Sequence, residues 1–168
     1  MSTDKPYFRF NPGAYEDGHS FERSSDVCEV CSRPCVWKYT GGIYATEHPV
    51  VCARCIANGK LGERLGEDDF SLQDIEMSSA EPSLEKEVLQ RTPGVASYNP
   101  FEWPVLDGKP LAFVGYGEDQ DLLDIAAARS AIEAAFAEIG QKFDGPTSYA
   151  LVFKEIDGER YRAVVDFD

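Results

Sequence analysis

Residues 27–59 read VCEVCSRPCVWKYTGGIYATEHPVVCARCIANG and hold all five cysteines of the 168-residue chain. Cys28 and Cys31 form one C-x-x-C pair and Cys52 and Cys55 a second, with twenty residues between the pairs. Two intervening residues let a tight turn aim both sulfurs at one point. Two such knuckles complete a tetrahedral thiolate cage at Zn–S distances of about 2.3 Å. Between them, VWKY (36–39) and IYAT (43–46) carry strand-forming residues around TGG (40–42), the pattern of a hairpin. The expectation is a zinc-ribbon-like module, two knuckles around a hairpin, with one structural Zn2+ on Cys28, Cys31, Cys52 and Cys55. A disulfide framework fits poorly with an odd cysteine count, and a dithiol redox centre leaves the second pair without a purpose. Cys35 reads as a spare thiol, although its spacing from Cys31 would permit it to ligate. His19 and His48 read as ordinary loop residues, because four thiolates already saturate zinc.

Upstream, MSTDKPYFRFNPGAYEDG has no charged segment leading into an apolar one, and no run approaches the ~18 apolar residues of a membrane span. The expected setting is the cytoplasm. With 43% hydrophobic and 12% aromatic residues the chain has the means to bury a core. Its net charge of −14 is uneven. Residues 1–62 balance seven acids with seven bases, residues 63–124 carry fifteen acids against four bases, and residues 125–168 eight against five. A duplex binder needs a positive face to displace counterions from phosphate, so binding to duplex nucleic acid is not expected. The acidity keeps a protein soluble, and it also complements a basic protein partner.

Downstream, the reading is an α+β domain over residues 63–168, joined to the module over 1–62. IANGKLGERLG suggests a short helix weakened by Gly59 and Gly62, and SLEKEVLQ another, opened by Ser83 and halted by Pro93-Gly94. LAFVGYG reads as a buried strand. From 120 to 139 one long helix is expected, with Leu122, Ile125, Arg129, Ile132, Phe136 and Ile139 on one face. The C-terminal residues suggest a hairpin turning at Asp157-Gly158, with Tyr149, Leu151 and Phe153 on one face of its first strand.

YFRFNPGAYEDG, CEVC, CARCIANG, RTPG, FEWP, LAFVGYG and YRAVVDFD occur in an order that resembles the CbrC family of small bacterial proteins. That family is named for tolerance to a DNase-type colicin. The resemblance implies a zinc-binding bacterial protein and brings no catalytic residues. It also implies a departure: many members carry further cysteines before the AFVGY strand and at the final hairpin, where this chain has Asp107, Leu111, Glu155 and Gly158. The expectation is that this domain holds no second metal.

For function, a closed four-cysteine site lacks the open position of catalytic zinc, and no hydrolase, metalloprotease or nucleotide-binding motif occurs. The expected protein is a non-catalytic interaction module with a role in toxin tolerance or stress response. One alternative is a nucleic-acid-binding ribbon, which requires Arg23, Arg33, Lys38, Arg54 and Lys60 to converge. The other is a hydrolase with a carboxylate site. Asp119, Asp121 and Asp124 resemble a cation cluster, but acids opening a helix mostly complement its dipole. Trp103 and Tyr98 read as packing rings before pocket walls.

Overall fold

A computed structural model of the chain describes residues 4–167. It is of the mixed α+β class and forms two compact units. The first comprises the chain up to Asp74 together with Pro82–Ala96, and the second Ile75–Glu81 together with Ser97 onward. The division therefore differs from a simple break after residue 62. Leu61, Phe70 and Leu72 share the first unit's core, and the Leu72 N–H donates to the Leu89 carbonyl at 2.7 Å. Buried Gln73 donates through Nε2 to the Thr92 and Pro93 carbonyls and accepts from the Val95 N–H, holding RTPG to this unit.

In the first unit, β1 (Phe21–Val27) pairs antiparallel with β2 (Pro34–Tyr39), in register Phe21↔Tyr39 and Arg23↔Trp37. The first knuckle is the connection between them, closed by Cys28 N–H to Arg33 O at 2.9 Å and Ser32 N–H to Cys28 O at 2.8 Å. This corrects the expected pairing of VWKY with IYAT. The partner of VWKY lies before the knuckle, and Tyr44 bridges Ser71 instead. FERSSDV hides its strand character because only Phe21 is buried, so no apolar alternation marks it. A bulge between Ser24 and Val27 bends β1 opposite Cys35, and Val36 takes φ 61°, a costly conformation for a β-branched residue. Phe8, Tyr15, Phe21, Trp37 and Tyr39 pack their rings against the hairpin at centroid distances of 4.9–6.1 Å.

The Tyr39 N–H donates to Val51 O at 2.9 Å, which lays the segment before the second knuckle along β2. Cys52 is the N-cap of α1 (Ala53–Ala57), and α2 (Lys60–Leu65) follows across Asn58 and Gly59. Gly59 at φ 80° takes the left-handed turn that an L side chain resists, which splits the expected single helix. The chain then enters the second unit through β3 (Ile75–Glu76) and rejoins the first as α3 (Pro82–Gln90), with Pro82 at its first position.

The second unit begins with β4 (Phe101–Glu102), parallel to β3, and with β5 (Val105–Leu106) folded onto β6 (Lys109–Pro110). Its sheet is antiparallel in the order β7 (Ala112–Tyr116), β8 (Ala150–Lys154) and β9 (Tyr161–Val165). Central β8 is buried on both faces. Phe153 meets Phe101, Trp103 and Phe113 on one side, while Ala150 and Val152 join Leu122, Ile132 and Phe136 on the other. Trp103 is core, its Nε1 donating to Leu111 O at 2.9 Å, whereas Tyr98 is exposed.

The expected helix over 120–139 is two helices, α4 (Gln120–Leu123) and α5 (Ala126–Glu138). At Ile125 the backbone is extended (φ −87°, ψ 112°), which resets the helical phase. Ile125, at this break, and Ile139, the C-cap past the end of α5, are exposed, and the buried stripe of α5 is Ala128, Ile132, Ala135 and Phe136. The last hairpin is wider than a two-residue turn, since Lys154↔Tyr161 is its final pair. Glu155 N–H to Arg160 O closes it at 3.0 Å, and the Arg160 guanidinium reaches both Glu155 (2.5 Å) and Asp107 (2.7 Å). A Cβ at Gly158 would collide with the Glu155 carboxylate. Asp107 and Glu155 thus share one cation, Gly158 lies against the Glu155 carboxylate, and Leu111 is buried in the core. Among the described residues, no helix is long and apolar enough to cross a membrane.

Candidate metal centre

Cys28 leaves the end of β1, Cys31 lies in the knuckle turn, and Cys52 and Cys55 open α1. Their four sulfurs all lie within 4.8 Å of one another. The Cys28–Cys55 and Cys31–Cys52 separations are each 3.9 Å. A tetrahedron of sulfurs about 2.3 Å from a central zinc has edges of about 3.8 Å, so the set fits that ion. A disulfide requires roughly 2.05 Å, and all five cysteines are free thiols. Cys28, Cys52 and Cys55 are buried, and Cys31 is partly exposed.

Local structure aims these sulfurs. Ser32 at φ 58° turns the first knuckle back on Cys28, and the Cys55 N–H donates to Cys52 O at 3.0 Å as α1 begins. Burial raises the Cys52 thiol, and it raises Cys55 too, with charge on Cys52 adding to the effect. Burial also opposes charge on Cys31, but hydrogen bonds from the Arg33 backbone N–H, the Arg54 guanidinium and the Cys55 and Cys28 thiols together outweigh it and bring this thiol down to about 6. Four thiolates this close repel, and a divalent cation supplies the countercharge that lets them coexist in a buried site.

Cys35 is buried but outside the cluster, and its thiol is pushed up to about 11 by burial and by charge on Cys28 and Cys52. His19 and His48 are exposed and also outside it. The five cations named for a nucleic-acid face are partly engaged elsewhere. Arg54 is buried, Lys38 pairs with Glu22 (3.0 Å) and Asp26 (2.8 Å), and Arg23 lies over Trp37 at 5.1 Å. The Asp119 carboxylate caps α4 by accepting from the Asp121 N–H at 2.9 Å, and no cation cluster includes these acids among the described residues. Asp4 and Arg54 are the residues whose place at the centre was not foreseen. The signal the sequence carried was an arginine between Cys52 and Cys55, close along the chain to two of the sulfurs.

The chain has relatives among bacterial proteins. The model of an uncharacterised protein family, UPF0167, matches residues 5–158. The chain belongs to that family. A UPF0167 protein of Pseudomonas aeruginosa is 30% identical over 133 residues, covering 76% of this chain and 72% of that one. UPF0167 proteins of Mycobacterium bovis and Mycobacterium tuberculosis are each 28% identical over 129 residues, covering 76% of this chain and 68% of theirs. No solved structure matches.

Proposed function

We propose that the protein is a zinc-stabilised, non-catalytic interaction module whose acidic surface binds a basic protein. The observation that carries this reading is the closed cage. A zinc bound by all four sulfurs, which lie within 4.8 Å of one another, has no open position for water or substrate, so the metal's task is to hold two knuckles together. Zinc is held by Cys28, Cys31, Cys52 and Cys55, with Cys35 a bystander. Free thiols throughout suit a reducing compartment, and the cytoplasm is the setting proposed.

Charge selects the partner class. The first unit carries fourteen acids and ten bases, and the second sixteen acids and six bases. Glu63, Glu67, Asp68, Asp69 and Asp74 are exposed on the first, and Glu118, Asp119, Asp121 and Asp124 on the second. A protein that binds nucleic acid presents a basic surface, which an acidic surface can occupy by the same electrostatics. The resemblance to the CbrC family makes a DNase-type toxin one such partner, and tolerance the outcome of binding it.

The test is a binding titration of zinc-loaded protein against duplex DNA and against basic nucleic-acid-binding proteins, across ionic strength. Expected are no binding to DNA and salt-sensitive binding to a basic protein. Charge reversal at Glu67, Asp68 and Asp69, or at Asp119, Asp121 and Asp124, identifies which unit meets it. Tight DNA binding would move the function to the ribbon, and partner affinity indifferent to salt and to both reversals would end the acidic-surface mechanism.

A further inference from the structure

Among the described residues, Arg54 is the one buried cation, and it lies beside the cysteine cluster with only 8% of its side chain exposed. Its Nη2 lies 3.8 Å from the Cys31 sulfur and donates to the Pro34 carbonyl at 3.0 Å. Its Nη1 pairs with the Asp4 carboxylate, and its Nε is buried without a partner. A guanidinium taken out of water is costly unless charge and acceptors compensate it. Here the compensation comes from three separate segments: the N-terminal approach, the start of β2 and the first knuckle. Arg54 itself belongs to the second knuckle, so its side chain crosses from one half of the cage to the other.

We propose that Arg54 is a positioning residue of the metal centre, which steadies the Cys31 thiolate and locks the two knuckles together, with Asp4 fixing the plane of its guanidinium. Cys31 is the partly exposed member of the four and so the sulfur that solvent, competing chelators and electrophiles reach first. A charged N–H donor on that sulfur spreads its negative charge and weakens it as a nucleophile. Arg54 therefore guards the cage at its open side. A lysine in its place keeps the charge but not the planar fork that serves sulfur, carbonyl and carboxylate together.

The experiment measures zinc affinity of the full chain by competition with a chelator, and the order in which N-ethylmaleimide alkylates the zinc-loaded protein, read by peptide mass. Loss of an outer hydrogen bond to a metal ligand weakens metal binding about 10–100-fold, and Arg54→Met is expected in that range, with Arg54→Lys closer to wild type. In Arg54→Met, Cys31 is expected to be alkylated first and faster than in wild type. Asp4→Asn, which leaves the guanidinium in place but unclamped, is expected to lie between wild type and Arg54→Met in both readings. It decides the matter if Arg54→Met fails to fold. Unchanged affinity and unchanged alkylation order in the folded variants would overturn the proposal. The inference rests on the metal reading above, and the two fail differently. A wild-type chain that takes up no zinc overturns the metal reading, whereas a wild-type zinc site indifferent to Arg54 and Asp4 overturns this one alone.

Discussion

Cys35 and the four clustered cysteines show how little sequence separates a member of the cluster from a bystander. All five lie within 28 positions, yet the bulge in β1 and the left-handed turn at Val36 bury Cys35 beside the cage and outside it. Replacing any one of Cys28, Cys31, Cys52 or Cys55 by serine is expected to abolish stoichiometric zinc, while Cys35→Ser retains one zinc per chain, as metal analysis of purified protein will show. Reactivity should follow the same division. Burial holds the Cys35 thiol protonated, with its pKa raised to about 11, so it should resist alkylation near neutral pH until the protein is unfolded. The sign follows from linkage: the folded state binds this proton more tightly than the unfolded state. The stability it contributes is complete below the ordinary thiol range and is lost as pH rises through about 11. Denaturant melts of wild type and Cys35→Ser across that range measure the difference.

At the scale of elements, α5 and β8 hold the second unit together through a narrow stripe. Phe136 is buried and packs against Phe143 and Phe167 at 5.5 and 5.9 Å, so Phe136→Ala is expected to cost about 3–5 kcal/mol in denaturant unfolding. Ile139, expected on the same buried face but 47% exposed past the end of α5, should cost far less on substitution by alanine, about 0.5 kcal/mol or under. Similar losses at both positions would count against the phase of this helix. The periodicity of residues 120–139 revealed a helix and two of its anchors, Ile132 and Phe136. The break at Ile125 was not legible, because isoleucine carries no stop signal and the extended backbone there is fixed by how α4 and α5 each pack. The same holds for β1. Its polar segment FERSSDV became a strand only because β2 offered it a partner across the knuckle.

At the scale of the whole chain, metal removal distinguishes the two units. All four clustered cysteines lie in the first, and among the described residues no other metal-capable cluster occurs, so on the proposed metal reading chelation should release amide protection from β1, β2 and α1. The sheet of β7, β8 and β9 should keep its protection, because its cohesion comes from the rings around Phe153 and from Val152 against α5. Hydrogen exchange followed by mass spectrometry checks this, and equal loss of protection in both units would refute it. What the sequence by itself determined was local. Cysteine spacing named the four sulfurs, Gly and Pro placed most element ends, and the α+β class followed from the order of periodic segments. What the tertiary structure decided was pairing across distance. It joined residues 21–27 to 34–39, drew 63–74 and 82–96 into the first unit, and set Arg54 beside Cys31 with Asp4, fifty positions away in the chain, as its counterion. The physical reason is the same in each case: a strand partner, a buried glutamine's acceptors and a guanidinium's counterions are supplied by remote backbone and side chains, and no local pattern encodes which ones arrive.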